Sequence, residues 1–121
     1  MKKVLIVDDT SFMRKLLRSI VTKHEYQVVA EAVNGEEAVY QYELYKPDLV
    51  IMDITMPVMD GLEATEAILA NNPGAKIIVC SAIGQRNMIM RMIEAGARDF
   101  IVKPFLEDRI VMALEKQFQS I

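Results

Sequence analysis

Residues 48–61 read Asp-Leu-Val-Ile-Met-Asp-Ile-Thr-Met-Pro-Val-Met-Asp-Gly. Leu49 to Met52 is an apolar run too short for a helix, the composition of a strand buried on both faces. Asp53 ends it. A carboxylate at the mouth of an apolar strand is costly to desolvate unless something pairs with it, so this position requires partners. Pro57 and Gly61 bracket a loop, and the pattern turns helical at Leu62. A strand, an acid at its tip and a loop opening a helix place Asp53 at the carboxyl edge of a sheet, where open α/β folds bind ligands.

Upstream, Lys3 to Val7 reads as a first buried strand that also ends in acid, at Asp8 and Asp9. Thr10 or Ser11 can cap the following helix, in which Phe12, Met13, Leu16, Leu17, Ile20 and Val21 recur at helical spacing as an inward face. Gln27 to Val33 has strand composition, and Asn34-Gly35 breaks it before a helix carrying Ala38, Val39 and Tyr42. Lys46-Pro47 ends that helix.

Downstream, Leu62, Thr65, Ile68 and Leu69 form a helical stripe that stops at Asn71-Asn72-Pro73-Gly74. Lys76 to Cys80 is a fourth strand, ending at Ser81-Ala82, and a helix from Gln85 to Ala95 is closed by Gly96 as a left-handed cap. Asp99 to Val102 is a fifth strand, followed by Lys103-Pro104 and a last helix with Ile110, Val111, Leu114 and Phe118 facing inward. Five alternations of strand and helix with short connections predict a parallel α/β sheet covered on both faces.

The chain has 121 residues and a formal net charge of -3, the size of one domain, and no dense Lys/Arg block offers a nucleic-acid surface. No apolar run approaches membrane-spanning length and none has the form of a signal peptide, so the expectation is a soluble, cytoplasmic monomer. The single cysteine, Cys80, sits in an apolar run and reads as a small buried hydrophobe. His24, between Lys23 and Glu25, reads as a solvated residue at a helix C-terminus.

The strand ends carry Asp8 and Asp9, then Asp53, Ser81 and Lys103. Singly, acids after a strand are turn or cap residues, the reading kept for Asp60, and a serine or lysine there needs no role. Jointly they converge on one edge. Carboxylates roughly 6 Å apart repel by about 3 kcal/mol per pair at an effective dielectric of 20, so the cluster needs a cation. All-oxygen ligands suit Mg²⁺ or Mn²⁺ rather than zinc. A cation, an ammonium, a hydroxyl donor and a carboxylate are the parts needed to place a phosphoryl group on an aspartate.

Asp8-Asp9, Met52-Asp53 with Met56-Pro57 and Asp60-Gly61, Ser81-Ala82, and Ala95-Gly96-Ala97 running into Phe100 and Lys103-Pro104-Phe105 resemble the receiver domain of two-component response regulators. The resemblance spans the chain and is strongest to stand-alone chemotaxis receivers, at Ser11 to Leu17, Met52 to Pro57 and Cys80 to Gln85. It implies a flavodoxin-like (βα)5 fold with strand order 2-1-3-4-5. It further implies a single receiver domain over residues 1–121 with no output domain, in keeping with an initial Met and an end just after the last helix.

By the same resemblance Asp53 is the phosphoacceptor for a histidine kinase, and Asp8, Asp9, Asp53 and the Thr55 backbone carbonyl hold Mg²⁺, with Asp8 acting through water. Ser81, Lys103 and the amides of Thr55 and Ala82 cradle the phosphoryl group. Ser81 and Phe100 form the switch, Phe100 lacking the hydroxyl of the commoner tyrosine. Thr55 and Ile83 influence how fast water removes the group, and Lys103-Pro104 is expected to be cis. Met88, Met90 and Phe100 are the expected partner face, with Ile89, Met92 and Ile93 inward. The implied activity is a switch that binds a target such as the flagellar motor switch, subject to a phosphatase, and no enzyme beyond its own phosphorylation and slow autodephosphorylation.

Competing readings are a phosphorelay intermediate, a receiver excised from a DNA-binding regulator, an aspartyl-phosphate hydrolase and a flavin binder. The hydrolase wants a second acid where Thr55 stands, and Asp8-Asp9 would repel a flavin phosphate.

Overall fold

Five aliphatic runs, each too short to make a helix, become the strands of one parallel sheet, and the amphipathic segments between them become its cover. In the computed structural model, which describes residues 1–119, the order is β1 (Lys3–Val7), α1 (Ser11–Lys23), β2 (Gln27–Ala32), α2 (Gly35–Tyr45), β3 (Leu49–Asp53), α3 (Gly61–Asn71), β4 (Ile77–Ser81), α4 (Arg86–Ala95), β5 (Asp99–Val102) and α5 (Glu107–Lys116). The strands lie in the order β2-β1-β3-β4-β5, as the resemblance implied. Register pairs Val7 with Met52, Asp53 with Cys80 and Ser81 with Val102, which brings the ends of four strands level.

Strand periodicity divides the core. Leu5, Val7, Val50, Met52, Ile77 and Val79 face α2, α3 and α4, whereas Val4, Ile6, Leu49, Ile51, Ile78 and Cys80 face α1 and α5. Every residue of β3 and β4 is buried, which is why both read as continuous apolar runs, while the edge strands β2 and β5 are only partly covered. Burying a side chain such as Ile51 contributes about 1.5–3 kcal/mol.

The helix starts follow local chemistry. Asn34 caps α2 by accepting the Glu37 N–H at 2.8 Å. Asp60, read as a cap, forms a reciprocal capping box with Glu63. Gly96 closes α4 at a φ of +120°.

Several inward assignments fail at the margins. The buried stripe of α1 is Leu17, Ile20 and Val21 with Met13 partly covered, and Phe12 is 74% exposed and Leu16 37%. Both lie on a parallel row that the sheet does not reach. On α4 the stripe centres on Met92 and Ile89, with Met88 and Ala95 packed beside them, so Ile93 falls outside and is exposed. Helix α5 ends at Lys116, and Phe118 packs from beyond it against Tyr26, with ring centroids 6.2 Å apart. His24 is half-buried rather than solvated, its Nε2 lying 2.9 Å from Glu107 and joining α1 to the start of α5.

Gly61 is required by contact. A Cβ there would run into the Asp53 carbonyl oxygen, and the Gly61 N–H donates to the Ile54 carbonyl at 2.7 Å. The loop after β3 is thereby folded tightly onto the strand end. Gly61→Ala is expected to destabilise the protein by about 1–3 kcal/mol through this clash. Gly74→Ala, where a Cβ meets nothing within 4 Å, is expected to stabilise by about 0.4–1 kcal/mol. Urea unfolding midpoints of the two variants check this, and equal midpoints would remove the packing argument.

Candidate functional site

The end of β1 delivers Asp8, and local chemistry fixes it there. Asp8 Oδ1 accepts from both the backbone N–H and the hydroxyl of Thr10, each at 2.9 Å, so Thr10 serves the acid rather than capping α1. Arg14 adds a bond from its guanidinium to the Asp8 carbonyl at 2.8 Å while pairing with Glu31 at 3.0 Å. Asp8 is 1% exposed and Asp53 is 6% exposed, whereas Asp9 is open to solvent. Ligand oxygens of Asp8, Asp9 and Asp53 all lie within 4.8 Å of one another.

Lys103 arrives from the loop after β5. Its N–H donates to the Ser81 carbonyl at 2.7 Å, and the Lys103-Pro104 bond is cis, as expected. Its ammonium lies 3.0 Å from Asp8 and 3.3 Å from Asp53, and so it serves both acids. Asp53 also accepts the Ile54 N–H at 2.9 Å.

The charges do not balance. Burial and the neighbouring Asp8 carboxylate push the Asp53 pKa up from 3.8 to about 6, and Lys103 offsets only part of this. Burial alone would lower the Lys103 pKa, but Asp53 and Asp8 outweigh it and hold the ammonium protonated. Burial likewise pushes the Cys80 thiol up to about 12, which bears out its reading as an inert core residue. The donor set of three carboxylates, with no His or Cys in the cluster, fits a hard divalent cation.

Ser81 is fully buried at the end of β4, and its hydroxyl has no hydrogen-bond partner among the described residues. An unpaired buried hydroxyl costs about 1–3 kcal/mol, so this donor is poised for an oxygen that the protein itself does not supply. Thr55 and Ala82 are exposed on the loops after β3 and β4. The Ala82 N–H, expected to face a phosphoryl oxygen, donates at 2.7 Å to the side chain of Gln85, which in turn donates to the Thr55 hydroxyl at 2.7 Å.

Away from the acids, Phe100 is 40% exposed and Met90 54%, and with Ile83, Ile89 and Val102 they line a cavity of about 440 Å³. Met88, grouped with them by sequence, is half-buried against the core because it shares the inward side of α4 with Met92. Sequence reasoning missed Arg14 and Gln85. Thr10 was read as a cap of α1, whereas its hydroxyl and N–H serve Asp8 two residues back, and no spacing rule marks Gln85, whose partners lie on two different loops.

A family model for the response regulator receiver domain matches residues 4–115. The chain belongs to this family. As a receiver it is 57% identical over 116 residues to the chemotaxis protein CheY of Listeria monocytogenes, covering 96% of this chain and 98% of that one. It is equally 57% identical over 115 residues to CheY of Thermotoga maritima, covering 95% and 96%. Among solved structures, a chain of the CheX-CheY-BeF3-Mg²⁺ complex from Borrelia burgdorferi superimposes with a TM-score of 0.94 at 35% identity, over 98% of this receiver and 90% of that chain. Among the described residues, no helix of the receiver is long and apolar enough to cross a membrane.

The raised Asp53 pKa has a signed consequence for stability. The folded receiver keeps this proton up to about pH 6, whereas an unfolded chain loses it near 3.8, so the fold binds more protons in that window and loses stability as pH rises through it. Without divalent cations, Asp53→Asn is expected to stabilise the protein by about 1–3 kcal/mol at about pH 8, with the gain vanishing below about pH 4. Denaturant titrations in a chelating buffer measure it, and a pH-independent difference would contradict the electrostatic origin.

Proposed function

We propose that this receiver is a phosphorylation-activated signalling switch that takes a phosphoryl group on Asp53 from a phosphohistidine of a chemotaxis-type histidine kinase. The observation that carries the reading is one strand-end edge holding a carboxylate whose pKa is pushed up to about 6, a lysine in contact with it and a buried serine hydroxyl without a partner among the described residues. In the step, an Asp53 oxygen forms a bond to phosphorus as the P–N bond to the imidazole breaks, and the leaving nitrogen keeps the electron pair. Asp53 is the nucleophile in its ionised form, which Lys103 favours. Lys103 then bonds the new phosphoryl oxygens, and the Ser81 hydroxyl and the amides of Thr55 and Ala82 donate to them. Asp8, Asp9, Asp53 and the Thr55 carbonyl would hold Mg²⁺, with Mn²⁺ as a substitute, and the ion supplies charge neutralisation between the acids and the incoming group.

Signal output is by binding and not by turnover of a substrate. Ser81 moves toward the phosphoryl group, and the exposed Phe100 ring turns into the space behind it, changing the surface around Met90 and Val102. The similarity to CheY chains over nearly their whole length supports a chemotaxis target such as the flagellar motor switch, in the cytoplasm. The CheX-CheY-BeF3-Mg²⁺ structure supports both the cation and a protein partner, and a phosphatase that ends the signal is part of the same proposal.

Intact-protein mass after mixing with acetyl phosphate tests the acceptor. Wild type is expected to gain one phosphoryl group, about 80 Da, only with Mg²⁺, and Asp53→Asn to gain none. A gain that persists in the variant, or no gain in wild type, would overturn the reading.

A further inference from the structure

Gln85 stands where α4 begins, yet its side chain does not cap that helix. An N-cap side chain ordinarily accepts an N–H from its own first turn. Here Gly84, at a φ of +91°, turns the chain, and the Gln85 carboxamide reaches across to the site. Its Oε1 accepts the Ala82 N–H at 2.7 Å and its Nε2 donates to the Thr55 hydroxyl at 2.7 Å. The two bonds tie the loop after β3, which leaves from Asp53, to the loop after β4, which leaves from Ser81.

A backbone N–H has one hydrogen. While Gln85 holds that of Ala82 at so short a distance, a phosphoryl oxygen on Asp53 cannot take it. Both ends of the strap therefore lie on residues that the proposed switch uses. The backbone of Gln85 also accepts the Ile89 N–H at 3.0 Å, so the residue that carries the carboxamide also opens the first turn of α4. Ile83, Gln85 and Ile89 line the same cavity as Met90 and Phe100. One residue thus joins the two loops that leave Asp53 and Ser81 and also lines the surface expected to change.

We infer that Gln85 is a positioning residue of the receiver, a hydrogen-bonded latch that holds the Ala82 amide in the unphosphorylated state and must release it for Asp53 to be phosphorylated. The inference rests on the phosphoacceptor reading of Asp53. No bond to Gln85 is made or broken covalently; one acceptor of the Ala82 N–H is exchanged for another. The latch opposes phosphorylation by the strength of the bonds given up, and its release loosens the start of α4.

Phosphorylation by acetyl phosphate with Mg²⁺, followed by intact mass, tests the latch on wild type, Gln85→Ala and Gln85→Met. Methionine keeps the length of the side chain and loses both hydrogen bonds. Both variants are expected to gain the phosphoryl group roughly three- to tenfold faster than wild type at low acetyl phosphate, the effect of one or two net hydrogen bonds. In the unphosphorylated proteins, exchange of the Ala82 amide with solvent is expected to be faster in both variants than in wild type, a readout that does not pass through the chemistry. Variants phosphorylated at the wild-type rate, or unchanged Ala82 exchange, would overturn the latch while phosphorylation of wild type upholds Asp53 as acceptor. A fast alanine variant beside a methionine variant matching wild type would assign the effect to bulk and overturn the hydrogen-bonded form. Failure of wild type itself to gain the group would overturn the acceptor reading and the latch with it.

Discussion

The Lys103 ammonium, 3.0 Å from Asp8 and 3.3 Å from Asp53, is the contact on which the site depends. It enters from the loop after β5 and reaches across the end of β4 to acids on β1 and β3. Without it, two nearly buried carboxylates would face one another across adjacent strands with the repulsion uncompensated. Burial first, and then the Asp8 carboxylate that one ammonium only partly offsets, pushes the Asp53 pKa up to about 6, and the excess of negative charge among the three acids suits the edge to a divalent cation.

The same edge shows how stability and reactivity are set against each other. Asp53 is held where its ionisation weakens the fold, and Ser81 is held buried with its hydroxyl unsatisfied. Each defect would be relieved by the proposed chemistry at the site, in which a cation and a phosphoryl group would supply what Asp53 and Ser81 lack. The surrounding scaffold tolerates these costs because β3 and β4 are buried throughout and because Gly61 seats the loop after β3 directly on the Asp53 carbonyl. Among the described residues the buried Thr65 hydroxyl and Gln41 side-chain oxygen are unpaired too, but of the three only Ser81 ends a strand at the acid edge.

Most of the secondary structure was legible because its signals are local. An aliphatic run of four or five residues cannot bury itself as a helix, and Asn34, Asp60 and Gly96 cap their helices with chemistry contained within a few positions. The acids, Ser81 and Lys103 were legible because each ends a strand, and the strands of a parallel sheet end together. Errors fell where a helix is wider than its contact. Phe12, Leu16 and Ile93 satisfy helical spacing, but spacing defines a face without saying how far the neighbouring layer extends over it. Phe118 kept its inward role from outside the helix to which it was assigned.

What the sequence determined by itself was therefore the alternation of strands and helices, the identity of the residues at the strand ends, and the excess of negative charge among them. Those properties follow from residue type and short-range order along the chain. Only the tertiary structure decided that Lys103 serves Asp8 as well as Asp53, that the Ser81 hydroxyl is left without a partner, that Met88 turns toward the core, and that Gln85 bridges Ala82 and Thr55. Each is a distance between atoms far apart along the chain or a coverage set by a packed neighbour. The arrangement of layers in space, and no pattern along the chain, fixes such quantities.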